Sequence, residues 1–79
     1  MVKYKCDVYI LTDLIHDEII GAYELQFDAY FTAKQFILNE ISSDNKDEML
    51  EELEASYLCN VTYCSINDII SIERVKLFQ

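Results

Sequence analysis

Apolar residues alternate with polar ones at both ends of this chain and recur at helical spacing through its middle. Two such changes of period within 79 residues narrow the folds open to it. From residue 2 to 10 the even positions are Val2, Tyr4, Cys6, Val8 and Ile10, while the odd ones begin Lys3, Lys5, Asp7, Tyr9, the pattern of a half-buried strand. A polar connection over 12–18 follows, with Leu14 and Ile15 tucked inward. A second strand then carries Ile19, Gly21, Tyr23, Leu25 and Phe27 on one face. Asp28 or Thr32, the latter with Gln35 three residues on, can cap a helix running to about residue 41. Its wheel places Ala29, Ala33, Phe36, Ile37 and Ile41 on one side and Phe31 with Leu38 on another.

Ser42-Ser43-Asp44-Asn45 is the clearest break in the chain. Asn45 with Glu48 then caps a second helix over about 45–55, where Met49, Leu50 and Leu53 form an apolar arc that Phe31 and Leu38 are suited to cover. Residues 57–64 are rich in aromatic and β-branched types, and Ser65-Ile66-Asn67-Asp68 turns the chain into a last strand over 69–78. In that strand Ile70 and Ile72 share one parity and Val75 and Leu77 the other, which predicts a bulge near Glu73 and Arg74. Proline is absent and Gly21 is the only glycine, so the turns must use Asn, Asp and Ser. The order ββααββ, with no repeat and no linker, predicts a single α+β domain over 1–79: a mainly antiparallel four-stranded sheet with two helices packed on one face.

Charge is distributed unevenly. Between Glu40 and Glu54 lie seven carboxylates (Glu40, Asp44, Asp47, Glu48, Glu51, Glu52 and Glu54) and one base, Lys46, so this segment holds six of the chain's nine net negative charges. Four of the six bases, Lys3, Lys5, Arg74 and Lys76, lie near the termini. Acids in the first helical turn are explained by capping and by the positive end of the helix dipole, which covers Asp44, Asp47 and Glu48. Glu51, Glu52 and Glu54 fall toward the C-terminal half of the expected helix, where the dipole opposes them. Asp47 with Glu51 and Glu48 with Glu52 are also like-charge i,i+4 pairs, each costing roughly 0.2 to 0.5 kcal/mol.

A hydrophobic content of 52% with ten aromatics argues for a folded chain. No apolar stretch approaches the ~20 residues of a membrane span. Asp7 interrupts the run after Lys3 and Lys5, against a signal peptide, so a cytoplasmic location is expected. The net charge disfavours direct contact with nucleic acid or anionic lipid, both of which are bound through Lys and Arg. One glycine cannot build a phosphate-cradling loop. His16 is the only histidine and no motif supplies it with a nucleophile, so it reads as an exposed loop residue. Cys6, Cys59 and Cys64 are odd in number, which is no disulfide framework. Together with His16 they match a zinc ligand set in number only, since Cys59 and Cys64 on one strand point to opposite faces. No cofactor, no metal and no enzymatic activity are expected, and the Asn60-Val61-Thr62 sequon reads as chance.

The expectation that remains is a small acidic protein-interaction module. Asp47, Glu48, Glu51, Glu52 and Glu54 would form a carboxylate face that mimics nucleic-acid phosphates and enters the basic groove of a nucleic-acid-binding protein. In size and charge the chain resembles small phage-encoded inhibitors, among them anti-CRISPR and anti-restriction proteins. That resemblance implies inhibition by blocking such a groove and carries over no individual residue. The alternative is a structural or regulatory protein that forms a homodimer or larger homo-oligomer through a hydrophobic interface, with Phe31 and Leu38 or the strand aromatics as its contacts.

Overall fold

In the computed structural model, which describes residues 2–41 and 44–78, the elements follow in the order β1 (Tyr4–Asp13), β2 (Glu18–Tyr23), α1 (Gln26–Glu40), α2 (Lys46–Cys59), β3 (Tyr63–Ile66) and β4 (Ile70–Phe78). The four strands make one open antiparallel sheet in the order β2-β1-β4-β3, so the first and last strands of the chain are its central pair. Ser42 and Ser43, half of the expected break between the helices, lie outside the described residues.

Residues paired across strands share a face, which fixes what the helices cover. Leu11 pairs with Ile72 and Asp13 with Ile70 in β4, while Cys64 and Ile66 of β3 oppose the same two isoleucines. Apart from Asp13, these side chains form a buried core with Ala29, Tyr30, Ala33 and Ile37 of α1 and Met49 and Leu53 of α2. The buried positions of β1 are therefore Tyr9, Leu11 and Asp13. Its apolar even residues Cys6, Val8 and Ile10 lie on the opposite face, beside Val75 and Leu77. The expected alternation is real, but it marks the side without helices.

The parity change in β4 has the same cause. Its register against β1 runs unbroken from Ile70 to Leu77, so there is no bulge at Glu73 and Arg74. Ile70 and Ile72 serve the helix-covered face, and Val75 and Leu77 the open one, as the strand passes beyond the helices. The irregularities fall instead at Lys5 of β1, between Tyr4 and Cys6 against β4, and at Ile20 of β2, opposite Leu11 and Thr12.

Three element boundaries differ from expectation. β2 ends at Tyr23, and α1 begins at Gln26, which puts Phe27 in the helix. Leu25, not Asp28 or Thr32, precedes α1 and gives no side-chain cap, while Thr32 Oγ1 donates to the Asp28 carbonyl from mid-helix (2.8 Å). Asn45 precedes α2 as expected, and its carbonyl accepts from the Met49 amide, but its side chain does not cap the helix. α2 continues through Tyr57, Leu58 and Cys59, so these are not strand residues.

Asn60 ends that helix in the left-handed conformation (φ 50°). Its N–H donates to the Tyr57 carbonyl and that of Val61 to Ser56, the pairing that closes a helix C-terminus on an αL residue. Asp17, Asn67 and Asp68 are the other non-glycine residues with positive φ among those described. Asn67 and Asp68 form the β3–β4 turn, closed by Ile69 N–H to Ile66 C=O (2.9 Å). Asn and Asp thus make the tight turns, as the lack of glycine requires. At Gly21 an added Cβ would stand 2.7 Å from the Tyr23 hydroxyl, so a larger residue there requires that ring to shift.

Candidate functional site

The helices form an antiparallel hairpin clasped at both ends. Lys46, the only base in the acidic run, extends its ammonium to the Leu38 carbonyl in the last turn of α1 (3.0 Å). Gln26 Nε2, at the start of α1, donates to the Tyr57 carbonyl in the last turn of α2 (3.1 Å). Both acceptors are carbonyls in the last turn of a helix; that of Tyr57 also accepts from the Asn60 amide. Lys46 is thereby directed to α1 instead of toward its acidic neighbours.

Asp47, Glu48, Glu51, Glu52 and Glu54 are all exposed on α2. Among the described residues the only ion pair joins His16 to Asp13, so no described base stands within ion-pair distance of an α2 carboxylate. The longer helix changes the account of these acids. Dipole effects are confined to the first and last turns, and Glu51, Glu52 and Glu54 lie in neither, so the dipole does not oppose them. Mutual repulsion remains, at i,i+4 in Asp47–Glu51 and Glu48–Glu52 and at i,i+3 in Glu48–Glu51 and Glu51–Glu54.

The structure also brings two of the acids to an apolar groove of about 530 Å³ between α1 and α2. Its α1 wall is Phe27 and Phe31, one helical turn apart with rings stacked at 5.8 Å, and Lys34. Tyr30 and Tyr57, edge to face at 5.3 Å, lie deeper with Leu50 and Leu53, and Leu58, Glu51 and Glu54 form the α2 wall. Leu58 is 78% exposed, Phe27 60% and Phe31 51%. Leu38 is exposed at 40% but does not line this groove, and Met49 and Leu53 pack into the main core, so the expected pairing of the Phe31–Leu38 stripe with the α2 arc does not form as a unit.

In the sequence Phe27 and Leu58 read as strand residues, so neither marks a helix groove there. The available signal was Phe27 with Phe31 at i,i+4, once the helix is allowed to begin earlier.

Other polar groups are separately accounted for. Asp13 Oδ1 accepts from the Ile15 and His16 amides and Oδ2 meets His16 Nδ1 at 2.7 Å, which organises the β1–β2 turn. At the far end of β1 and β4 a second hollow is lined by Tyr4, Asp7, Arg74, Lys76 and Phe78, with the Tyr4 hydroxyl donating to Asp7 (2.7 Å). Cys6 lies in β1, Cys59 at the exposed end of α2 and Cys64 in the buried part of β3, so Cys59 and Cys64 do not share a strand. Among the described residues no three or more His, Cys, Asp or Glu side chains are grouped to hold a metal ion. No helix there is long and apolar enough to cross a membrane.

No protein-family model, no curated protein and no solved structure matches the chain.

Proposed function

We propose that this chain is a non-catalytic protein-interaction module whose α2 carboxylates occupy a basic groove of a nucleic-acid-binding protein and compete there with phosphate. One observation supports this above the others: five exposed carboxylates of α2 make no ion pair with the chain's own described residues. The lysine nearest in sequence is engaged with α1. Successive carboxylates on one helix face stand about 5 to 6 Å apart at Cβ, a periodic negative surface that a phosphate-binding groove can accept. An inhibitor of the anti-CRISPR or anti-restriction kind is the specific form of this reading, and it rests on size and charge.

Charge reversal tests it. Glu51→Lys with Glu52→Lys and Glu54→Lys replaces repelling i,i+4 pairs by attractive ones, so stability should hold or rise by about 1 kcal/mol in denaturant titration. The same variant should no longer capture, at low salt, the basic nucleic-acid-binding proteins that the unaltered chain retains, and the unaltered chain should displace nucleic acid from them. Capture that is unaffected by the reversal would reject the reading.

A second reading, self-association, is favoured by the sheet face without helices, where Val8, Ile10 and Val75 are only half-buried and Leu77 is exposed. Phe31 and Leu38 on α1 are the other exposed apolar contacts available to it.

A further inference from the structure

We propose that the groove between α1 and α2 is the docking site for an amphipathic basic helix of a protein partner. The partner's apolar side chains would enter between Phe31 and Leu58, and its Lys or Arg side chains would meet Glu51 and Glu54. This rests on the interaction reading above and adds to it the chemistry of the segment bound.

Phosphate competition needs only carboxylates, yet the α2 surface couples them to a built hollow. Its α1 wall is pre-arranged, because the Phe27 and Phe31 rings stack on each other. The two helices that wall it are joined at either end by the Gln26–Tyr57 and Lys46–Leu38 hydrogen bonds. Leu58, the most exposed large apolar residue among those described, stands on the opposite wall with no described ring or side chain covering it. Helices that dock in such grooves present apolar anchors at i, i+3 or i+4 and i+7.

Charge selects among occupants. Glu51 and Glu54 border the groove, Glu48 and Glu52 continue the negative surface, and Lys34 is the single base on its lining. A basic segment is attracted along this whole face. The helices of a second copy would bring the same carboxylates against it.

The test uses the full chain, isotopically labelled, and two synthetic peptides of about 18 residues, five helical turns. Both contain the same Leu and Lys residues; in one the leucines fall on a helical stripe, and in the other the order is shuffled. At roughly 0.15 M salt, where long-range attraction is screened, the striped peptide should bind at least about tenfold tighter, with resonance shifts at Phe27, Phe31 and Leu58. Leu58→Ser, an exposed change that leaves the core intact, should remove that difference while keeping the weaker binding of the shuffled peptide.

Equal binding of the two peptides, or shifts confined to the outer acids, overturns the groove proposal and leaves the carboxylate reading standing. Undiminished binding of the striped peptide by the triple Glu→Lys variant overturns the charge pairing proposed here, whereas the carboxylate reading itself falls only if that variant still captures the basic nucleic-acid-binding proteins. Self-association of the free chain that Leu58→Ser abolishes would put a second copy in the groove and also overturn the proposal.

Discussion

Asp13 is a buried carboxylate made tolerable by its partners. Two backbone amides and the His16 ring converge on it, so its charge is hydrogen-bonded on both oxygens. The hydrogen bond to His16, together with the amides, lowers the Asp13 pKa below its ordinary 3.8. The same hydrogen bond, then the charge of Asp13, raises the His16 pKa above 6.5. The two shifts describe one interaction and have opposite limits. The Asp13 contribution to stability is present above pH 3.8 and lost as pH falls through its folded pKa. The His16 contribution is complete below pH 6.5 and lost as pH rises through its folded pKa. Between those values the pair contributes fully. Titration of the His16 ring by NMR should give a pKa above 6.5 that Asp13→Asn returns to the ordinary value; an unshifted ring in the unaltered chain would contradict the contact.

The residue that follows α2, Asn60, closes its C-terminus. Asn60 adopts a left-handed backbone that most side chains resist by about 1 to 2 kcal/mol. Asn60→Ala should therefore destabilise the chain by about 1 kcal/mol, and Asn60→Gly should leave it unchanged or slightly more stable, as read by urea unfolding. Equal losses for both would place the effect in the side chain, not the backbone.

The same residue shows what could be read in advance. The two periods, the ββααββ order and the use of Asn and Asp in turns were legible because they follow from local sterics and burial pattern. The ends of elements were not, since the β-favouring Tyr57 and the β-branched run after it suggest a strand, whereas Tyr57 packs edge to face on Tyr30 of α1 and its carbonyl accepts from Gln26. The α2 wall of the groove, with Leu58, depends on the helix extending through Cys59. The acids of α2 were legible as charge, but their company was not, because Phe27 and Leu58 lie on different helices and meet only when the hairpin closes.

At the scale of the molecule, burial and charge are separated. One sheet face supports both helices, and the other exposes a smaller apolar surface centred on β1 and β4. The long axis is 50 Å against 26 and 17 Å, and β4 runs from buried Ile70 to exposed Lys76, Leu77 and Phe78. Self-association through the open face predicts a dimer mass by light scattering that Ile10→Lys reduces to that of one chain. Phe31→Ser with Leu38→Ser should do so only if the helices form the interface. A single-chain mass for the unaltered protein at high concentration removes that reading.

The placement of β4 between β1 and β3 also bears on how the chain reaches this state. Positions 4 and 78 are paired, so the central ladder joins the segments that are farthest apart in sequence. Local helix formation takes about a microsecond or less, whereas a sheet built on such distant pairing forms far more slowly. The expected order is an early helical hairpin followed by late insertion of the last strand. During synthesis β1 has its inner edge open until β4 has been made. In that interval the negative charge of α2 would set unfinished copies against one another, so the same carboxylates would guard the chain against aggregation before it has any partner to meet.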